Sequence, residues 1–335
     1  TSSQVEASSC VYSFSCRICS FCSCSLFFFG KFVRAFQRHK TDRGLRAPSS
    51  HCRVSSVHIK MIADALRAVH AVYEKHYDYG YDQYMIMYRS VQWTAFFWVC
   101  YLVSFGLFWP YYGATAKRVK SGKVKRFREH DWAARGASTV FACLVTVPGF
   151  YALFLDQAIM EEPLRSRPPV YNLLSAMSIG YFLWDIVISI LFEPMEFIIH
   201  ALMAGSTFMV TGYSEAFPMT WMGGAVLMFE LSTVPLNLRW FLIAAGKTEG
   251  PVFQTVQMTF VILYALARIA WGDILVFPWV WYQLVYTTPD METAFKAFIW
   301  VTSTTAAALN TWWFYVMVRK ALKPSSRKEL DTKAD

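Results

Sequence analysis

An all-α membrane protein, a bundle of about seven transmembrane helices, is the fold this sequence predicts, and three observations carry the prediction. The chain is 55% hydrophobic and 18% aromatic but only 16% charged, against roughly 45–50% apolar and 25% charged in a soluble domain. Its apolar residues gather in about seven runs of roughly 17–25 residues, the length that about 30 Å of hydrocarbon demands. Most of the remaining charge falls between those runs or outside them.

Residues 1–60 form a basic leader rich in Cys and Ser, with nine Lys or Arg against Glu6 and Asp42 and six of the eight cysteines. Most of the net charge of +9 sits here, so the rest of the chain is nearly neutral and no nucleic-acid partner is expected. Three readings of the leader stay open. It is a targeting segment, being Ser- and Arg-rich and poor in acid; or it is not native, with Met61 as the start. The third is a zinc-binding or palmitoylated stretch through Cys16, Cys19, Cys22 and Cys24, which a zinc site argues against by needing a second paired cluster. The first two are preferred, and no metal or other cofactor is expected.

Residues 61–90 are polar and aromatic, with Ala65, Leu66, Val69 and Val72 at helical spacing. They read as an amphipathic helix on the membrane surface or a solvated helix leading into the first span. The transmembrane domain occupies 91–320, with spans at about 91–112, 137–156, 170–191, 196–213, 216–236, 253–274 and 294–318. Between the last two, residues 278–286 are rich in Trp and Tyr, as in an interfacial or re-entrant segment. Pro235 is expected to bend or end the fifth span, because it lacks the backbone donor and crowds the preceding turn. A charged tail, 321–335, closes the sequence.

Orientation follows from basic residues in the short loops. Lys117, Arg118, Lys120, Lys123, Lys125, Arg126, Arg128 and Arg135 stand between the first two spans, and Arg319, Lys320, Lys323, Arg327, Lys328 and Lys333 follow the last. The other side has Arg165, Arg167 and Lys296 in its loops. The C-terminus is therefore expected in the cytosol, with the endoplasmic reticulum as the expected membrane and another organelle as the alternative.

An ionisable side chain within a span costs several kcal/mol, roughly, and usually faces the bundle interior with a partner or a task. Asp185, His200, Glu230 and Arg268 are such residues, with Arg239 and Asp273 near span ends. At about 1.5 Å of rise per residue, Asp185, His200, Glu230 and Arg239 share one depth in the cytosolic half. Arg268 falls in the other half, where a separate pairing with Asp273 is expected. The four residues at shared depth are read either as a structural network pinning three spans together or as a polar pocket for a lipid headgroup or thioester. In the pocket, His200 would serve as a general base.

Three stretches resemble the TLC-domain family, which includes the ceramide synthases. They are Asp131-Trp132-Ala133-Ala134-Arg135 leading to Ser138-Thr139-Val140-Phe141-Ala142; Gly180-Tyr181-Phe182-Leu183-Trp184-Asp185, followed by Phe197-Ile198-Ile199-His200-Ala201-Leu202; and the run from Glu230 through Pro235, Asn237, Arg239 and Trp240 to Phe241. The likeness covers about residues 91–320 and is strongest to the small TLC-domain proteins outside the ceramide synthase branch. The shared depth of Asp185, His200, Glu230 and Arg239, extended by Asn237 and Trp240 of the third stretch, makes these six the candidate site, with Arg268 and Pro235 structural. Enzymatic members use two adjacent histidines at the start of the fourth span, whereas Ala201 follows His200; Phe141 stands where relatives often carry His.

The leading expectation is accordingly a non-catalytic protein that binds membrane lipid in its bundle and influences lipid composition or trafficking. One alternative is an acyl-CoA-dependent lipid N-acyltransferase with His200 as base and Asp185 orienting it. The other is a structural subunit packed against partner subunits in a larger membrane complex.

Overall fold

The computed structural model describes residues 83–119 and 129–322, and all regular structure among them is helical. The leader, residues 61–82 of the expected surface helix and the end of the tail lie outside the described residues. The order is α1 (Gln83–Val119), α2 (Glu129–Phe154), the short α3 (Gln157–Glu161), α4 (Pro169–Phe192), α5 (Met195–Tyr213) and α6 (Thr220–Leu227). A 3₁₀ turn (Met228–Ser232) leads into α7 (Thr233–Ala244), and α8 (Pro251–Tyr264) passes through a π-helical segment (Ala265–Val276) into α9 (Phe277–Tyr286); α10 (Thr293–Leu322) follows.

Six stretches are long and apolar enough to cross a membrane: Gln83–Phe108, His130–Phe154, Pro169–Phe192, Met195–Tyr213, Thr220–Ala244 and Pro251–Tyr286. With the 30-residue α10 they make an all-α bundle of about seven rods. Three expectations change. Residues 83–90 belong to the first span's own helix. The Trp- and Tyr-rich 278–286 continues the sixth span as α9, with Pro278 directly after the winding changes from π to α. The fifth span reaches Ala244, so Arg239 lies within α7 and not at or beyond the span's end.

Proline sets several helix starts. Pro168 is extended and Pro169 opens α4, Pro194 is extended before α5, and Pro251 opens α8 after Gly250 at a φ of 93°. Pro235 does not end its span. The chain tightens to 3₁₀ over Met228–Ser232 and resumes as α7, with Pro235 buried at its third residue. The proline cannot bond the carbonyl four residues back, so the turn before it closes on shorter bonds.

α4 is the hub: 72% of its apolar window is buried, against 17% for α1, whose Val99, Leu102, Val103 and Leu107 point outward. α1, α2 and α5 pack on α4 around Phe97, Phe141, Tyr181, Phe182 and Trp184. Phe141 and Tyr181 stack in parallel at 3.8 Å between centroids, and Phe97 meets Tyr181 edge-on at 5.2 Å. Phe141 is thus a core ring with 0% exposure. α1 approaches α4 at Gly180, where Thr94 donates to the Gly180 carbonyl at 3.1 Å. Small residues at crossings allow such approach in lipid, where hydrophobic driving force between helices is absent. A second core of Met222, Phe229, Phe277, Val280, Leu284 and Ile299 joins spans five to seven.

One end of the bundle is tied down by loop contacts. The Arg167 guanidinium donates to the carbonyls of Thr211, Gly212 and Ser214 at 3.3, 3.0 and 2.6 Å, satisfying the last carbonyls of α5. Tyr171 donates to the Pro218 carbonyl at 2.6 Å, and the Thr220 hydroxyl to that of Ser166. Arg165 grips Asp290 with bonds of 2.8 and 2.7 Å, which hold the Asp290 carboxyl below its ordinary carboxylate range.

Candidate functional site

The polar residues of the spans open onto a cavity of about 470 Å³. Each reaches it from the same end of the bundle: Arg135 from early α2, Asp185 from late α4, His200 from early α5, Asn237 and Arg239 from α7, Gln257 from α8, and Trp313 from late α10. Alternating helix direction makes early and late positions coincide, as the comparison of depths predicts. The opposite end is the one laced by Arg165 and Arg167.

Asp185, His200, Glu230, Asn237 and Arg239 all line this space. Yet among the described residues no hydrogen bond or ion pair joins Asp185, His200 and Glu230 to one another or to Arg135, Arg239 or Arg268. The closed network that would pin three spans is not formed. Arg239 reaches Gln257 Oε1 through Nε at 3.5 Å. His200 sits edge-on to the rings of Phe182 and Trp313, at 6.3 and 5.6 Å between centroids. Asp185 lies within electrostatic range of two other carboxylates, Glu193 and Glu230.

Arg268 departs from its expected place. It lines the same cavity, because a long aliphatic stem lets the guanidinium reach well away from its own Cα. It donates to Ser232 Oγ at 3.1 Å, Asn310 Oδ1 at 3.4 Å and Thr233 Oγ1 at 3.5 Å, and lies over the rings of Phe229 and Tyr264. The expected ion pair with Asp273 is absent among the described residues. Asn310 stands between them instead, donating to Asp273 Oδ1 at 3.1 Å. Arg268 sits in the π segment, whose Gly272 packs on the Phe229 ring so closely that an added Cβ would lie 2.6 Å from it.

Trp240 does not line the cavity. It carries the Arg135 guanidinium on its face at 4.8 Å and meets Trp132 edge-on at 5.3 Å.

The residue that sequence reasoning misplaces most is Arg135. Counted there as a loop charge, it lies inside α2, lines the cavity and donates to Asn237 Oδ1 at 3.1 Å. Asn237 in turn donates to Thr139 Oγ1 at 3.0 Å and the Arg135 carbonyl at 3.3 Å, joining α7 to α2. The signal was the stretch Asp131 to Arg135, whose match to the family motif extends into the span. Tyr264, Gln257 and Trp313 carry no such signal. Among the described residues no group of three or more His, Cys, Asp or Glu could hold a metal ion; the leader cysteines lie outside them.

A bundle of apolar helices around a chamber of charged side chains defines the class, a multi-pass α-helical membrane protein with a polar interior. The TLC domain family model matches residues 131–319, more than half of the chain, and the chain belongs to that family. The match takes in every residue named above as lining the cavity and leaves α1 outside. An uncharacterised TLC domain-containing protein of Saccharomyces cerevisiae is 29% identical over 204 residues, covering 54% of this chain and 61% of the relative. TLC domain-containing protein 4-B of Danio rerio is 27% identical over 226 residues, 64% of this chain and 82% of its own length. TLC domain-containing protein 4 of Homo sapiens is 28% identical over 150 residues, 42% and 54%. The chain thus spans less than two thirds of the yeast and human relatives.

Proposed function

We propose that this protein binds a membrane lipid in its cavity and thereby influences membrane lipid composition or trafficking without carrying out chemistry on it. The observation that carries this reading is a cavity of about 470 Å³ whose Asp185 carboxyl, among the described residues, makes no hydrogen bond or ion pair to the arginines that share the lining. Charges at membrane depth cost roughly several kcal/mol each unless something compensates them. A purely structural role predicts that they pair with one another; a ligand role predicts that they wait for a partner. The volume is also that of a small-molecule site, typically about 300–1,000 Å³.

His200 supports the non-catalytic side of the reading. A general base needs a neighbour that fixes its tautomer and orientation. Here His200 is flanked by aromatic rings, and no hydrogen bond joins it to Asp185. The cavity lies toward the end at which α1 finishes, α2 begins and α10 finishes, and the charge of the sequence beyond those ends supports a cytosolic placement.

Native mass spectrometry of the protein released from lipid nanodiscs tests the proposal, beside an assay with a sphingoid base and labelled acyl-CoA. The expected outcome is retained lipid at defined stoichiometry and no turnover. A chain that retains no lipid refutes the reading, as does turnover that His200→Ala abolishes, which would make it an acyltransferase. A fixed hetero-complex without lipid would favour the structural-subunit role.

A further inference from the structure

The three arginines of the cavity differ in what they already hold. Arg268 is committed, with three hydrogen bonds and two aromatic faces around it. Arg239 makes a single 3.5 Å bond to Gln257. Arg135 makes one bond, to Asn237, and its Nε is buried without a partner. A guanidinium offers five N–H donors in a fixed fork suited to phosphate oxygens, so Arg135 and Arg239 have donors to spare.

Asp185 lines the cavity from α4, one turn after Phe182, with Phe197 of α5 and Trp313 of α10 in the same lining; the rings of Phe182 and Trp313 flank His200. Phe197 and Trp313 stack at 5.7 Å. Aromatic rings together with a carboxylate are the physical recipe for holding an ammonium group, through cation–π attraction and charge pairing.

A purely anionic ligand would satisfy the arginines and leave Asp185 facing other carboxylates. A bare amine such as a sphingoid base would do the reverse. Resting on the lipid-binding reading above, we propose that the cavity takes a zwitterionic phospho-ammonium headgroup, its ammonium held by Asp185 among Phe182, Phe197 and Trp313, and its phosphate by Arg135 and Arg239. The two kinds of charge come from different helices, α4, α5 and α10 against α2 and α7, as a two-ended ligand requires.

The test titrates the full chain in detergent with brominated short-chain phosphatidylcholine, phosphatidylethanolamine, phosphatidic acid and sphingosine, read as quenching of tryptophan fluorescence. Either zwitterionic lipid is expected to bind at least tenfold more tightly than phosphatidic acid or sphingosine. Asp185→Asn should weaken zwitterionic binding about tenfold while leaving phosphatidic acid binding unchanged or stronger. Arg135→Gln should weaken both phosphate-bearing classes and spare sphingosine, and Arg239→Gln serves in its place should Arg135→Gln melt well below the parent. Phosphatidic acid or sphingosine binding as tightly as the zwitterionic lipids overturns this inference alone; binding of no lipid overturns the lipid-binding reading itself. Competition by glycerophosphocholine at concentrations equal to the intact lipid would keep the headgroup chemistry but overturn a membrane lipid as its source.

Discussion

Replacing Gly180 with alanine should unlock the crossing of α1 and α4. A Cβ built at Gly180 lies 2.4 Å from Trp93 Cβ, 2.7 Å from the Ser90 carbonyl oxygen and 2.9 Å from the Thr94 amide nitrogen. Ordinary contacts between carbon atoms are about 3.5–4.0 Å, so the shortfall against Trp93 Cβ is about 1 Å or more. Two of the three obstacles are backbone and cannot rotate away, which leaves separation of the helices as the only relief. Overpacking of this kind costs about 1–3 kcal/mol. The same displacement breaks the Thr94 bond to the Gly180 carbonyl, worth about 0.6 kcal/mol between membrane helices. A total of about 2–4 kcal/mol follows. Reversible unfolding in mixed micelles, followed by tryptophan fluorescence, measures it. Gly106→Ala is the control, since its added Cβ meets nothing within 4 Å and alanine is the better helix former by about 0.5–1 kcal/mol. Equal stability of Gly180→Ala and Gly106→Ala would refute the close-approach argument.

Three further outcomes are expected. Asn237→Leu removes the bonds to Arg135 and Thr139 and leaves a guanidinium without its acceptor, so stability in detergent should fall by about 1–3 kcal/mol; a melting curve matching the parent would show that the α2–α7 link bears no load. Arg268→Gln strands Asn310 and Ser232 less than Arg268→Leu does, so the leucine variant should melt lower; the opposite order would mean that the polar bonds at this position contribute nothing to stability. Asp290→Asn should melt slightly below the parent at neutral pH. A carboxyl with a depressed value in the folded state contributes stability above its unfolded value of about 4, and that contribution fades as pH falls through the lower folded value. The gap should therefore narrow below about pH 4 and in high salt; a gap that widens on acidification would refute the Arg165 pairing.

Much of the bundle is legible in the sequence because each span must satisfy its own backbone, which forces long apolar runs. The common depth of Asp185, His200, Glu230 and Arg239 is legible too, since helical rise is fixed and successive spans alternate in direction. Side-chain reach is not. Arg268 is placed by its Cα in one half of the bundle and works in the cavity, and Arg135 reads as a loop charge when apolarity alone marks where α2 begins. Nor does the sequence foretell that the carboxylates leave the arginines unbonded. Spacing shows that groups share a level; it does not show whether they face each other across an open space. Phe141 illustrates the same gap, because its role as a stacking partner of Tyr181 depends on a ring on another helix.

The lacing of Arg165 and Arg167 has a consequence for direction. One end of the bundle is fastened by guanidinium bonds to α5 carbonyls and to Asp290, while the chamber lies toward the other. If the chamber holds a lipid as proposed, passage through the laced end would need several loop bonds broken together, and the protein would sample one leaflet. Its occupancy would then register the makeup of that monolayer and stay blind to the other, a sidedness set by where the arginines stand and not by the apolar bulk of the helices.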